Sequence, residues 1–314
     1  MTKTVRTTPK RPALTRLRLT VRKEWQLYLL ALPAVVYLFI FHYMPMYGVH
    51  IAFKDFVAVK GIAGSPWVGL KHFNRFFSTY MFERVFFNTL ILSFMGMVIS
   101  FPVPIILALL LNQVPGKKFR KTVQTVTYAP HFISMVVMVG MMSLLFSPNS
   151  GIVNKAITAL GGDKINFMGE AAYFRWMYVL SGVWQSAGWG SIIYLASLSS
   201  VDTGLYEAAR IDGCNRFGLL IHIDIPSIIP TCVIMFILEM GKLMSLGYQK
   251  AYLMQNDLNL PVSEIIETYT YKVGLINNKF SYSAAIGLFT TVINIILLVS
   301  ANGLSKKVTQ DSLW

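Results

Sequence analysis

The feature that most constrains this chain is a series of six long apolar runs, at about 25–45, 86–111, 123–146, 174–198, 226–246 and 283–304. A helix needs about 20 mostly apolar residues to cross a hydrocarbon core roughly 30 Å thick, and each run supplies that length. Backbone polar groups in hydrocarbon must be satisfied within the structure, so only helices and closed barrels span a bilayer. The runs lack the period-two alternation of barrel strands. The expected fold is therefore all-α: a polytopic membrane helical bundle of about six transmembrane helices. Pro33, Pro102 and Pro104 fall inside spans, where neighbouring helices can satisfy the carbonyls they free.

Composition agrees with this reading. The 314 residues are 54% hydrophobic and 13% charged, against about 25% charged in a soluble domain. The net charge of +14 could serve nucleic acid or an anionic membrane surface. Its distribution decides between them. Lys3, Arg6, Lys10, Arg11, Arg16, Arg18, Arg22 and Lys23 crowd a tail just ahead of the first apolar run, and no basic–aromatic interleaving marks a nucleic-acid surface. No nucleic acid is expected as a partner; membrane lipid is. The first run is too long for a signal-peptide core and no small-residue cleavage site follows it, so it is expected to remain as a helix. Residues 14–25 allow either a solvated tail or a short amphipathic helix lying on the membrane.

Basic residues set the orientation. The tail, the short 112–122 loop with Lys117, Lys118, Arg120 and Lys121, the loop carrying Arg210 and Arg216, and Lys306–Lys307 share one side. They are denser in positive charge than the longer segments 46–85, 147–173 and 247–282, so both termini are expected in the cytoplasm of a multi-pass chain. The expected division is a basic tail at 1–24, a transmembrane domain at 25–304 with a loop at 199–225, and a C-terminal tail at 305–314. Cys214 and Cys232 suggest neither a disulfide nor a metal site, and no metal is expected.

The loop Gly204–Pro230 carries most information. Glu207, Ala208, Ala209 and Arg210 favour helix, Asp202 or Thr203 can cap it, and Gly213 permits a backbone break or close approach. Phe217, Leu219, Leu220, Ile221 and Ile223 then form an apolar face before Pro226. The expectation is a short helix, a glycine turn and a second helix entering the membrane, with Tyr206, Ala208, Ala209 and Phe217 exposed as a docking surface.

The same loop resembles a known family. Glu207-Ala208-Ala209, Asp212-Gly213, Ile223 and Pro226 follow the pattern of the permease subunits of binding-protein-dependent ABC importers, with Ile225 where the pattern has Leu. Asn88-Thr89, Ala129-Pro130-His131-Phe132-Ile133-Ser134, and Phe280-Ser281-Tyr282 with Ala284, Ala285 and Gly287 look like the carbohydrate branch. The likeness is greatest to the subgroup for oligosaccharides derived from polysaccharides such as alginate or rhamnogalacturonan. This resemblance implies a coupling helix seated on an ATPase, with Tyr206, Glu207, Ala208, Ala209, Asp212, Gly213, Phe217 and Pro226 as the coupling residues. It also implies a second homologous permease, two nucleotide-binding subunits that bind ATP and Mg, an extracytoplasmic solute-binding protein and an oligosaccharide substrate. Such a chain holds no cofactor and is not an enzyme; no Gly-x-x-x-x-Gly-Lys-[Ser/Thr] occurs in it.

Polar residues within spans are functional candidates. Glu239 and Lys242 stand three apart in the fifth run, either as a cavity pair for a sugar or as a structural ion pair. Trp184, Gln185, Trp189 and Tyr194 in the fourth suit a sugar path or ordinary packing. His131 and Asn294 suit interhelical hydrogen bonds, and Met138, Met141 and Met142 suit a core. A permease for a non-sugar solute shares the loop. A secondary transporter would show charged relays and paired repeats, and an embedded enzyme a nucleophile–base or metal constellation; neither is evident.

Overall fold

The computed structural model describes residues 23–308 and 312–314. The tail up to residue 22, with most of the candidate surface helix, lies outside these residues.

Helices are the regular elements of the described residues, joined by turns and loops, with one isolated antiparallel bridge between Lys54 and Trp67. Helix α1, Trp25–Phe53, is 29 residues long. It passes through a π turn at Phe39–Tyr43 and tightens into a 3-10 end at Tyr47–Phe53. None of its residues from Trp25 to Met46 is buried. A helix apolar on every side belongs in a membrane or against another subunit. It meets the rest of the chain mainly through its 3-10 end, which packs on the last helix.

Helix α2 covers Met81–Gln113, with a single break at Phe101 just ahead of Pro102, which cannot donate to the helical ladder. Next, α3, Lys117–Phe132, and α4, Met135–Leu145, are bent by 101° relative to each other. The sequence suggests one span here, at about 123–146; the structure breaks it in two. Pro130 has no amide hydrogen to continue the ladder, and the new helix starts at Ser134, whose Oγ accepts from the Val137 amide at 3.4 Å. Helix α5, Ala171–Ser199, lies centrally, against α2, α3 and the later helical segment Ile225–Met240.

Helix α6, Thr203–Ile211, and α7, Arg216–Met240, follow. A short α8, Tyr248–Met254, leads through small helices to α9, Phe280–Val308. By length and composition four helices can cross a membrane (α1, α2, α7 and α9), and a fifth if α3 and α4 form one broken span. The remaining expected span, α5, has 29 residues, but Gly182, Gln185, Ser186, Gly188, Gly190 and Ser191 make it more polar than the others. The fifth run also ends earlier than its hydropathy suggests. Its helix stops at Met240, and Lys242 lies in the turn beyond it rather than on a helical face shared with Glu239.

Three buried clusters hold the bundle. One joins Leu92, Met138, Val139, Met142, Phe174 and Ile265. A second joins Phe76, Val85, Met244, Ile266 and Ile286, and a third joins Ala108, Tyr194, Leu198 and Ile228. Helices α3 and α5 approach closely at Gly188, where an added Cβ would collide with the Thr127 backbone of α3.

Candidate functional site

Two sites can be built from the residues upward: the loop between α5 and α7, and a cavity among α2, α5 and the end of α7. In the loop, α6 is capped at its start by Asp202, whose Oδ1 accepts from the Gly204 amide at 2.9 Å. At its other end the Cys214 amide donates to the Ala209 carbonyl at 2.9 Å and the Gly213 amide to that of Arg210 at 3.1 Å. This pair of bonds is a Schellman closure, and Gly213 takes the φ of +81° that it demands. The space around Gly213 is open, so here the residue serves the backbone conformation first. Asn215 then caps α7, accepting from the Gly218 amide at 2.8 Å.

The turn leaves Leu205, Ile211 and Phe217 exposed, Ile211 by 86% and Phe217 by 68%. Glu207, Ala208 and Asp212 are exposed, Ala209 is half-buried, and Pro226 sits in the first turn after the π segment of α7. Tyr206 departs from the expected outward position. It is half-buried, and its hydroxyl donates to Asp224 Oδ1 at 2.6 Å. Burial and that bond push the phenol up to about 12, so it remains a donor at neutral pH.

Asp224 is the residue that sequence reasoning missed. It is fully buried and also accepts from Asn112 Nδ2 at 3.1 Å and Gln113 Nε2 at 2.5 Å. One side chain thus ties the end of α2, the middle of α6 and the start of α7. The available signal was a lone acid inside the apolar run Leu219–Ile229.

The cavity has a volume of about 330 Å3 and is lined by Gln185, Glu239, Lys242 and Lys250 among Ser93, Gly96, Ser100 and Ser186. It adjoins a smaller pocket, sharing Gly96, Met97, Ser100, Ser186 and Glu239, that Tyr194 also lines. Four of the six path candidates, Gln185, Tyr194, Glu239 and Lys242, therefore border these two adjoining pockets. Tyr194 does so from within a core cluster. Glu239 and Lys242 form no ion pair with each other among the described residues, whose three pairs are Asp55–Lys71, Asp55–His72 and Glu264–Lys272. Trp184 lies elsewhere, on an apolar groove with Met138, Met141, Met142 and Trp176. Trp189 stacks on His131 at 4.5 Å between ring centroids. His131 thus meets a ring where an interhelical hydrogen bond was expected, whereas Asn294 does bridge to the turn after α7, donating to Ser245 Oγ at 2.9 Å.

The remaining motif residues hold the segments at the other end of the bundle. Asn88 Nδ2 donates to the carbonyls of Pro261 and Glu264 at 2.8 and 3.1 Å, and Thr89 Oγ1 accepts from the Ile266 amide at 2.9 Å. Ser281 Oγ accepts from the Phe56 amide at 2.8 Å, and Arg75 lies 4.8 Å from the Tyr282 ring centroid.

Comparisons with known proteins agree with this geometry. Residues 81–310 match the model of the family described as binding-protein-dependent transport system inner membrane component. The Bacillus subtilis (strain 168) polygalacturonan/rhamnogalacturonan transport system permease protein YteP is 43% identical over 95% of this chain and 93% of its own length. Protein LplB of the same organism is 42% identical over 93% of this chain and 92% of its own. Among solved structures, a chain of a bacterial ABC transporter involved in import of the acidic polysaccharide alginate superposes with a TM-score of 0.86. It is 35% identical, covering 94% of this chain and 99% of that one.

Proposed function

The chain belongs to the binding-protein-dependent transport system inner membrane component family, and we propose that it is one half of the membrane pathway of an ATP-driven importer of an oligosaccharide derived from an acidic polysaccharide. The observation that carries this reading is the full-length likeness to permeases of sugar transport systems, joined to a polar cavity among the helices and, on a separate part of the bundle, a capped helix with exposed apolar flanks. The relatives' names supply the substrate class: polygalacturonan and rhamnogalacturonan in one, alginate in another.

In this reading both termini are cytoplasmic, and α6 is the coupling helix that seats on a nucleotide-binding ATPase. That ATPase, present in two copies, binds ATP and Mg and does the hydrolysis; this chain hydrolyses nothing. A second permease, homologous and different in sequence, completes the pathway, and a solute-binding protein delivers sugar from outside. A solved relative is in complex with an alginate pentasaccharide-bound periplasmic protein, which supports that delivery step. ATP-driven closure of the ATPases moves α6, and the bundle passes between inward- and outward-facing states. Asp224 transmits the movement, since the Tyr206, Asn112 and Gln113 bonds prevent α6 from shifting independently of α2 and α7.

The test is ATP hydrolysis by the purified complex with its binding protein, across neutral and uronic oligosaccharides. Stimulation by uronic oligomers is expected. Stimulation by an amino acid, or by no sugar at all, would refute the substrate class.

A further inference from the structure

Lys250 lies in α8, outside the spanning helices, yet only 7% of it is exposed. Its Nζ donates to the Tyr178 carbonyl at 2.5 Å and sits 4.5 Å from the Tyr178 ring centroid. No carboxylate lies within ion-pair reach of it among the described residues. The side chain lines the same cavity as Gln185, Glu239 and Lys242. At Gly182 an added Cβ would come within 3.1 Å of the ammonium, so the glycine leaves it room. The cavity lining thus holds two ammonium groups, Lys242 and Lys250, against one carboxylate, Glu239.

A buried cation without a counter-ion is costly unless something else compensates it. A carbonyl and an aromatic face compensate in part; the ammonium makes no second hydrogen bond among the described residues. From this, and resting on the importer reading, we infer that Lys250 is the specificity-determining cation of the cavity and binds a carboxylate of the transported uronic sugar. Burial alone draws the ammonium down to about 8, which leaves it mostly charged at neutral pH and ready for an anion. Glu239 opposes the anion, so the carboxylate is placed at the Lys250 end, with sugar hydroxyls toward Gln185, Ser186 and Glu239.

The competing role is purely mechanical: Lys250 pinning α8 onto α5 through the Tyr178 carbonyl. Lys250→Gln separates the two, because it keeps a donor and removes the charge, while Lys250→Arg keeps both. The assay is uptake into proteoliposomes carrying the complete complex with its binding protein, using trigalacturonide and a neutral galactose trisaccharide, with assembled complex quantified in parallel. Lys250→Gln is expected to raise the half-saturating trigalacturonide concentration about tenfold, with maximal rate, neutral-sugar uptake where present, and assembly unchanged; Lys250→Arg is expected to stay near wild type. Unchanged half-saturation in Lys250→Gln, an equal loss on both sugars, or a loss of assembled complex would overturn the assignment. A wild-type complex that moves neither sugar would instead overturn the importer reading on which the assignment rests.

Discussion

At the scale of single residues, Asp224 and Gly213 bear most of the load in the loop, for different physical reasons. Asp224 is a buried acceptor with three donors. Tyr206→Phe removes one donor without opening a void and should cost about 1 kcal/mol, whereas Asp224→Ala takes the shared acceptor from three half-buried donors at about 1 kcal/mol each before relaxation. Thermal unfolding of the detergent-solubilised complex should rank them in that order, and Asp224→Ala should lower sugar moved per ATP hydrolysed; equal midpoints would contradict the three-way tie. Gly213 occupies the left-handed region, which costs other residues about 1–2 kcal/mol, Asn less than most. Coupling efficiency should therefore fall from Gly through Asn and Ala to Val. A flat series would show that the turn is not needed. Only part of this was legible beforehand. The Glu207–Gly213 spacing marked the loop and Asp202 marked the cap, but Tyr206 turns inward to Asp224, whose burial also rests on Asn112 and Gln113, more than a hundred residues away in sequence.

At the scale of elements, hydrophobicity located the helices and misplaced their breaks. An apolar run reports burial in lipid or protein, not backbone continuity, so the 101° bend between Phe132 and Met135 was hidden inside one run. The same blindness put Lys242 on a helix that ends at Met240. In α5 the lesson is reversed: small and polar residues weaken its hydropathy because it packs at the centre, where close approach matters more than apolarity. Gly188 is the clearest case. Gly188→Ala would drive a methyl into the Thr127 backbone of α3, which packing cannot accommodate without moving a helix. Assembled complex should be recovered at well under half the wild-type level in a membrane extract. By contrast Gly96→Ala, where nothing lies within 4 Å of the added carbon, should leave recovery intact. Equal recovery of the two variants would argue against a tight α3–α5 contact.

At the scale of the whole molecule, the chain is incomplete as a self-contained body. Helix α1 exposes Leu30 by 82% and Tyr43 by 64%, and lipid or a second subunit must cover such a surface. The cavity is open, and Leu205, Ile211 and Phe217 of the loop are left exposed by the rest of the described residues. The sequence made the membrane class plain through its six runs, and the loop pattern identified the family. The cavity was only half legible, because Lys250 sits between the expected spans, where a lysine attracts no notice until the fold buries it beside Tyr178. The central claim is that α6 faces an ATPase while segments such as Ala58–Lys60 face the opposite side. The most direct test is cross-linking from single cysteines, Ala208→Cys and Val59→Cys, in a background with Cys214 and Cys232 replaced by serine, on the complex purified with its co-expressed ATPase. Capture of the ATPase from position 208 and not from position 59, which is 98% exposed, is the predicted result. No capture from 208, or equal capture from both, would contradict the account.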